Sequence, residues 1–162
     1  MLLLLLACAD GDTDTAAACS LLEPDTRLVL ADGCADGVCG GTPYVEVVAV
    51  WGEPDACTVA SLRATCAWGG LSMDFPDCDD DGAADETYLC DMFDQTLTVT
   101  GAWDGASAEG LGLGVTATCW EDTLGPMPTQ GWSYGDNPWV LVTLAPSEGS
   151  VTTIVLNWSF DE

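Results

Sequence analysis

The sequence predicts an α+β fold: two tandem repeats of a short helix and a three-stranded antiparallel meander, sheets joined, helices on one face. Three observations carry this. First, residues 35–55, ADGVCGGTPYVEVVAVWGEPD, recur at an offset of 73 as residues 108–128, AEGLGLGVTATCWEDTLGPMP. Ala35, Gly37, Gly41 and Gly52 meet Ala108, Gly110, Gly114 and Gly125, Asp36 meets Glu109, and each segment closes near a proline. An internal period of this kind marks units that bury apolar faces against one another. Second, both copies run on into period-two alternation (Met73, Phe75; Val140, Val142, Leu144; Ile154, Leu156, Trp158), which is how short antiparallel strands read. Third, 162 residues, nearly half of them apolar, suffice for one real core or two small ones.

Taken in order, the chain opens on MLLLLLACAD, an apolar run too short to span a bilayer as a helix. Leu5-Leu6-Ala7-Cys8 resembles the lipobox of bacterial lipoproteins. That resemblance implies cleavage before Cys8, lipidation of the new N-terminus and an exported protein held in the cell envelope, residues 1–7 being a signal remnant. No basic residue precedes the leucines, so the expectation includes upstream residues that carry the positive charge; the bland alternative is a stray apolar end. Ala9 is not Asp, so the inner-membrane retention signal of enteric bacteria is missing, and the outer membrane is the expected location. Residues 8–25 read as a small, polar, acidic tether.

Repeat one, residues 26–98, enters through RLVLADG. Thr42 is the expected N-cap and Pro43 the first helical residue, with Gly52 and Pro54 ending the helix. YVEVVAVW is valine-rich and could be a strand on propensity alone. The capping signals and the more polar partner segment TATCWEDTL tip the reading to a helix. LSMDFPD and ETYLCDMF follow as strands. Repeat two, residues 99–162, has its counterparts in WVLVTLAP and VTTIVLNW, turned at Gly149. Trp51, Trp68, Trp120, Trp132, Trp139 and Trp158 are expected to pack helices on sheet, in preference to lining a ligand site.

Charge excludes whole classes of partner. There are 27 acidic residues, two arginines (Arg27, Arg63), no lysine and no histidine, for a formal charge of −25. Phosphate neutralisation needs a basic footprint, so nucleic acid is excluded, as is electrostatic adhesion to anionic lipid. Cations and basic protein surfaces are the electrostatic partners left, and solubility alone is the bland reading of the charge.

Of nine cysteines, Cys8 is the lipid carrier; Cys19, Cys34, Cys39, Cys57, Cys66, Cys78, Cys90 and Cys119 remain. An even set in an exported chain reads as disulfides. Zinc prefers close C-x-x-C pairs or histidines, and the chain has neither. We expect Cys57 with Cys66 across a hairpin and Cys78 with Cys90 around the acidic loop, among on the order of a hundred pairings left open.

That loop, DCDDDGAADE, gathers six acids in residues 77–86 between the last two strands of repeat one. Asp77, Asp79, Asp81, Gly82 and Asp85 satisfy D-x-D-x-D-G-x-x-D, similar to the calcium loops of thrombospondin type 3 repeats. Alternate carboxylates aim inward and the glycine permits the bend, which suits a hard cation. Tyr88 stands where an EF-hand needs its bidentate glutamate, so an EF-hand proper is disfavoured; Glu86 or Asp91 is the candidate last ligand. The expected affinity is that of an extracellular module, roughly 10⁻⁴ to 10⁻³ M. The competing reading is a solvated acidic turn.

Over residues 26–160, the glycine, proline and hydrophobic pattern resembles the helix–sheet repeats of the β-lactamase inhibitory protein family. It is similar too to the single-unit small lipoproteins of the outer-membrane barrel-assembly machinery. The resemblance implies a noncatalytic protein-binding scaffold with an envelope or extracellular partner, and no contact residue carries over. The alternative function is a small carboxylate-based hydrolase using Asp74 with Glu121. With no histidine, paired cysteines and no phosphate-binding loop, an enzyme is the weaker expectation.

Overall fold

The computed structural model describes residues 19–85, 94–135, 139–147 and 149–159. Ten strands in two sheets and two short α-helices make these residues mostly β. The strands β1 (Leu28–Val29), β2 (Cys34–Ala35) and β3 (Val38–Cys39) form a small antiparallel sheet. Helix α1 (Tyr44–Trp51) follows, then β4 (Ala56–Ala60), β5 (Arg63–Trp68), β6 (Leu71–Pro76) and β7 (Gln95–Thr100). The rest is α2 (Ala117–Leu124), β8 (Trp132–Tyr134), β9 (Trp139–Ser147) and β10 (Ser150–Ser159). The second sheet runs β4-β5-β6-β7-β10-β9-β8, antiparallel throughout.

Alternation decides which face of the large sheet is dry. Cys66, Met73, Phe75, Leu97, Ile154 and Val142 point to one side and are buried. Both helices pack there. Tyr44 meets Phe75 edge-on at 5.2 Å, Trp51 meets Trp68 at 5.3 Å, and Trp120 lies 6.2 Å from Trp132. The small sheet closes the same side: a side chain on Gly33 would strike Val140 at 3.0 Å. The opposite side carries Thr65, Ser72, Asp74, Thr96, Thr98, Thr153 and Asn157, exposed or half-exposed.

The tandem-repeat architecture is therefore corrected. Residues 26–98 contribute β1–β6 and most of β7, whereas residues 99–162 contribute only the end of β7 and β8–β10. The offset of 73 survives in the helices, eight residues each and starting at 44 and 117. The glycines and prolines behind the match mark turns, and turns recur without whole units recurring. Pairing of β10 with β7 joins β4–β7 and β8–β10 into one seven-stranded sheet, apart from the small sheet of β1–β3.

Local signals fared better. YVEVVAVW is helical, although Pro43 occupies the N-cap position and no side chain caps it. Thr42 instead accepts from the Cys39 amide at 3.4 Å. Thr116 caps α2, its hydroxyl accepting from the Cys119 amide at 3.3 Å. The segment ETYLCDMF, read as a strand, lies outside the described residues.

Candidate functional site

The acidic loop begins where β6 ends. The Asp77 amide donates to the Leu62 carbonyl at 2.9 Å, which pins the loop to the β4–β5 turn. Its side chain is 0 % exposed. The chain wraps around that carboxylate, with the Asp81 amide donating to Oδ1 at 3.1 Å and the Gly82 amide to Oδ2 at 3.3 Å. Gly82 turns with φ 85°, a conformation natural to glycine. One carboxylate oxygen each from Asp77, Asp79 and Asp81 lies within 4.8 Å of the others, so this cluster could hold a metal ion. Asp79 and Asp81 are exposed at its mouth. Three carboxylates on one turn are hard oxygen donors, the set that a hard cation takes.

Asp85, expected as a further ligand, stands outside that triad. Its Oδ2 accepts from the Cys78 amide at 2.8 Å and its amide donates to the Pro76 carbonyl, closing the loop's neck. Glu86, Tyr88, Cys90 and Asp91 lie outside the described residues, as does Cys8.

Disulfides join Cys57 to Cys66, Cys34 to Cys39 and Cys19 to Cys119. The first crosses the β4–β5 hairpin, as the sequence suggested, and the second links opposed residues of β2 and β3. The third ties the chain ahead of β1 to helix α2. Cys78 is disulfide-bonded to a partner outside the described residues.

A cluster that sequence reasoning missed lies on the core side. Arg27 gives Nε and Nη2 to the Asp36 carboxylate, at 2.5 and 3.1 Å, and Nη1 to Asp104 at 2.6 Å. Its guanidinium stands 5.2 Å from the Trp103 ring centroid, and the Trp103 indole donates to Asp36 at 2.6 Å. Hydrogen bonds from Arg27 hold the Asp36 carboxyl below its ordinary value, and they do the same for exposed Asp104. Beside this network a cleft of about 390 Å³ is bordered by Trp51, Trp68, Glu53 and Asp55. Its residues come from widely separated segments, and no motif joins them. Gly70 makes the closure possible, since any Cβ there would sit 2.3 Å from the Trp103 amide nitrogen.

Asp74 and Glu121, the alternative catalytic pair, are not brought together. Asp74 sits on the uncovered face of β6, accepting from Arg63 at 3.2 Å and Thr65 at 2.7 Å. Glu121 is exposed on α2, which packs on the other face. Both arginines, the chain's only basic side chains, are thus ion-paired internally.

Fold and sites together define a small, acidic, disulfide-bonded β-sheet protein with a candidate cation loop. No family model, curated protein or solved structure matches the chain.

Proposed function

We propose that this chain is an exported, noncatalytic binding module, anchored in a bacterial envelope through lipid on Cys8, whose partner presents a basic protein surface. The observation that carries the reading is the uncovered face of the large sheet. Thr65, Ser72, Thr96, Thr98 and Thr153 form a surface of short polar side chains with no element of the described residues packed on it. On it Arg63 is paired with Asp74, and over the whole chain 27 acids stand against two arginines, so the field around the face is negative. Complementary charge steers association and selects partners. The disulfides fit an oxidising compartment.

The test is site-specific. A photo-cross-linking residue at Thr98 should trap one predominant envelope protein in producing cells, while the same residue at Val50, exposed on α1, should not. Equal yields from the two positions, or none from Thr98, would reject the open face as the binding surface. For the anchor, Cys8→Ala or globomycin should accumulate unprocessed precursor; unaltered processing would remove lipidation from the proposal.

We read the ion suited to Asp77, Asp79 and Asp81 as calcium. The D-x-D-x-D-G spacing and oxygen-only donors support it, and magnesium resists the dehydration that such a loop demands. When bound, the ion would supply charge compensation for carboxylates that otherwise repel one another.

A further inference from the structure

We infer that the cleft beside Trp51, Trp68 and Trp103 binds an organic cation, either a quaternary ammonium or the side chain of a lysine or arginine. Four carboxylates border it (Asp36, Glu53, Asp55, Asp104) against one guanidinium, a formal excess of three negative charges. Arg27 uses Asp36 and Asp104, and the Asp55 carboxylate accepts from the Gly69 amide at 2.7 Å. Among the described residues Glu53 has no hydrogen bond or ion pair, so its charge is left for a ligand.

Two half-buried indoles, Trp51 and Trp68, line the cleft as well. Trp51 and Trp68 stand edge to face at 67°, their N–H groups donating to the Asp36 and Gly52 carbonyls. Tying down the N–H ends fixes the rings without a partner from outside. Indole rings beside carboxylates attract an organic cation. Arg27 on Trp103 is that interaction in miniature, already made by the chain itself. A small hard ion suits the cleft poorly, because among the described residues only Asp77, Asp79 and Asp81 converge tightly enough for one. A volume of about 390 Å³ fits a head group or one long side chain and not a large ligand.

The cleft's chemistry stands alone; only a protein as the cation's source rests on the module proposed above. The experiment is a titration at constant ionic strength, following the indole N–H resonances of Trp51 and Trp68. Choline should shift them in the millimolar range, and its neutral isostere 3,3-dimethyl-1-butanol should bind about tenfold more weakly. Glu53→Gln, which disturbs no contact of the fold, should weaken choline several-fold and leave the isostere unchanged. A capped tripeptide centred on lysine or trimethyllysine tells the sources apart. Tighter binding than choline assigns a protein side chain, and weaker binding assigns a free ammonium compound. Equal binding of choline and isostere, or no shift up to about 50 mM choline, would overturn the inference. The Thr98 cross-link separates the two readings: if it persists while choline fails, the cleft alone is rejected. If choline binds while Thr98 traps nothing, the module is rejected and the cleft stands.

Discussion

Asp36 shows how much one side chain in a turn can organise. It sits between β2 and β3 with φ 46°, accepts from Arg27 and Trp103 through its carboxylate, and accepts the Trp51 indole through its carbonyl. The carboxyl is held below its ordinary value of 3.8, chiefly by the hydrogen bonds from Arg27. A depressed carboxylate contributes its full stabilisation above the ordinary value and loses it as pH falls through the folded one. Asp36→Asn should therefore cost about 2 kcal/mol at pH 7, and the gap to wild type should begin to narrow below about pH 4 as pH nears the folded value of the depressed carboxyl. Chemical denaturation at pH 7 and pH 3 checks this; a gap that stays constant would mean the charge is irrelevant. Glycines offer a sharper contrast. A Cβ on Gly41 would meet Trp158 at 2.3 Å, whereas one on Gly37 meets nothing within 4 Å, and both have positive φ. Gly41→Ala should cost roughly 2–4 kcal/mol, overpacking added to backbone strain, and Gly37→Ala roughly 1 kcal/mol. Denaturation midpoints giving equal losses would refute the close approach.

At the scale of elements, two turns carry the argument. The β4–β5 hairpin turns through Ser61 and Leu62, at φ 55° and 62°. A two-residue turn of that hand prefers Asn-Gly, and an exposed leucine there is strained. Ser61→Asn with Leu62→Gly should raise stability by about 1 kcal/mol, read as a higher melting temperature. The acidic loop is the second turn. At about ten times its dissociation constant, calcium should stabilise the fold by roughly 1.4 kcal/mol, and magnesium by less. Asp79→Asn with Asp81→Asn should abolish that gain while leaving the calcium-free protein as stable or more so. Identical melting in millimolar calcium and in chelator would leave only a solvated acidic turn. Helix and strand identities were legible because proline and glycine boundaries and period-two alternation act locally. The acidic motif was legible too, since its carboxylates are near neighbours in the chain. Asp85 falls outside the triad of Asp77, Asp79 and Asp81, since spacing does not say which way a carboxylate turns, and its Oδ2 accepts from the Cys78 amide.

At the scale of the molecule, legibility fails for a physical reason. Strand order is a matter of non-local pairing, and nothing in LTVTGAWDG announces that Leu97 will lie opposite Leu156. Hence the sequence suggests a repeat where the structure has one seven-stranded sheet and a small three-stranded one. The aromatic cleft escaped for the same reason, its walls assembled from α1, β5 and the segment after β7. Cross-links are non-local as well, and their sizes rank their effects. The Cys19–Cys119 bridge spans 100 residues and the Cys34–Cys39 bridge five. On loop-closure entropy, replacing the first pair with serine should cost about 4.7 kcal/mol and the second about 2 kcal/mol. Urea denaturation of the two variants tests the ranking, and a larger loss from the short bridge would contradict it.

The long bridge also determines how the protein carries load. A chain held at its N-terminus and pulled from its C-terminus transmits tension into the fold at Cys19, then across sulfur to Cys119 in α2, beside buried Trp120. Everything between those cysteines, including the acidic loop, the cleft and strands β1–β7, is bypassed. In an optical trap the oxidised protein should unfold with a contour shorter than the reduced one by roughly 340 Å, the span of 100 extended residues. The bridge acts as a mechanical shunt, and both candidate sites lie within the loop that it bypasses.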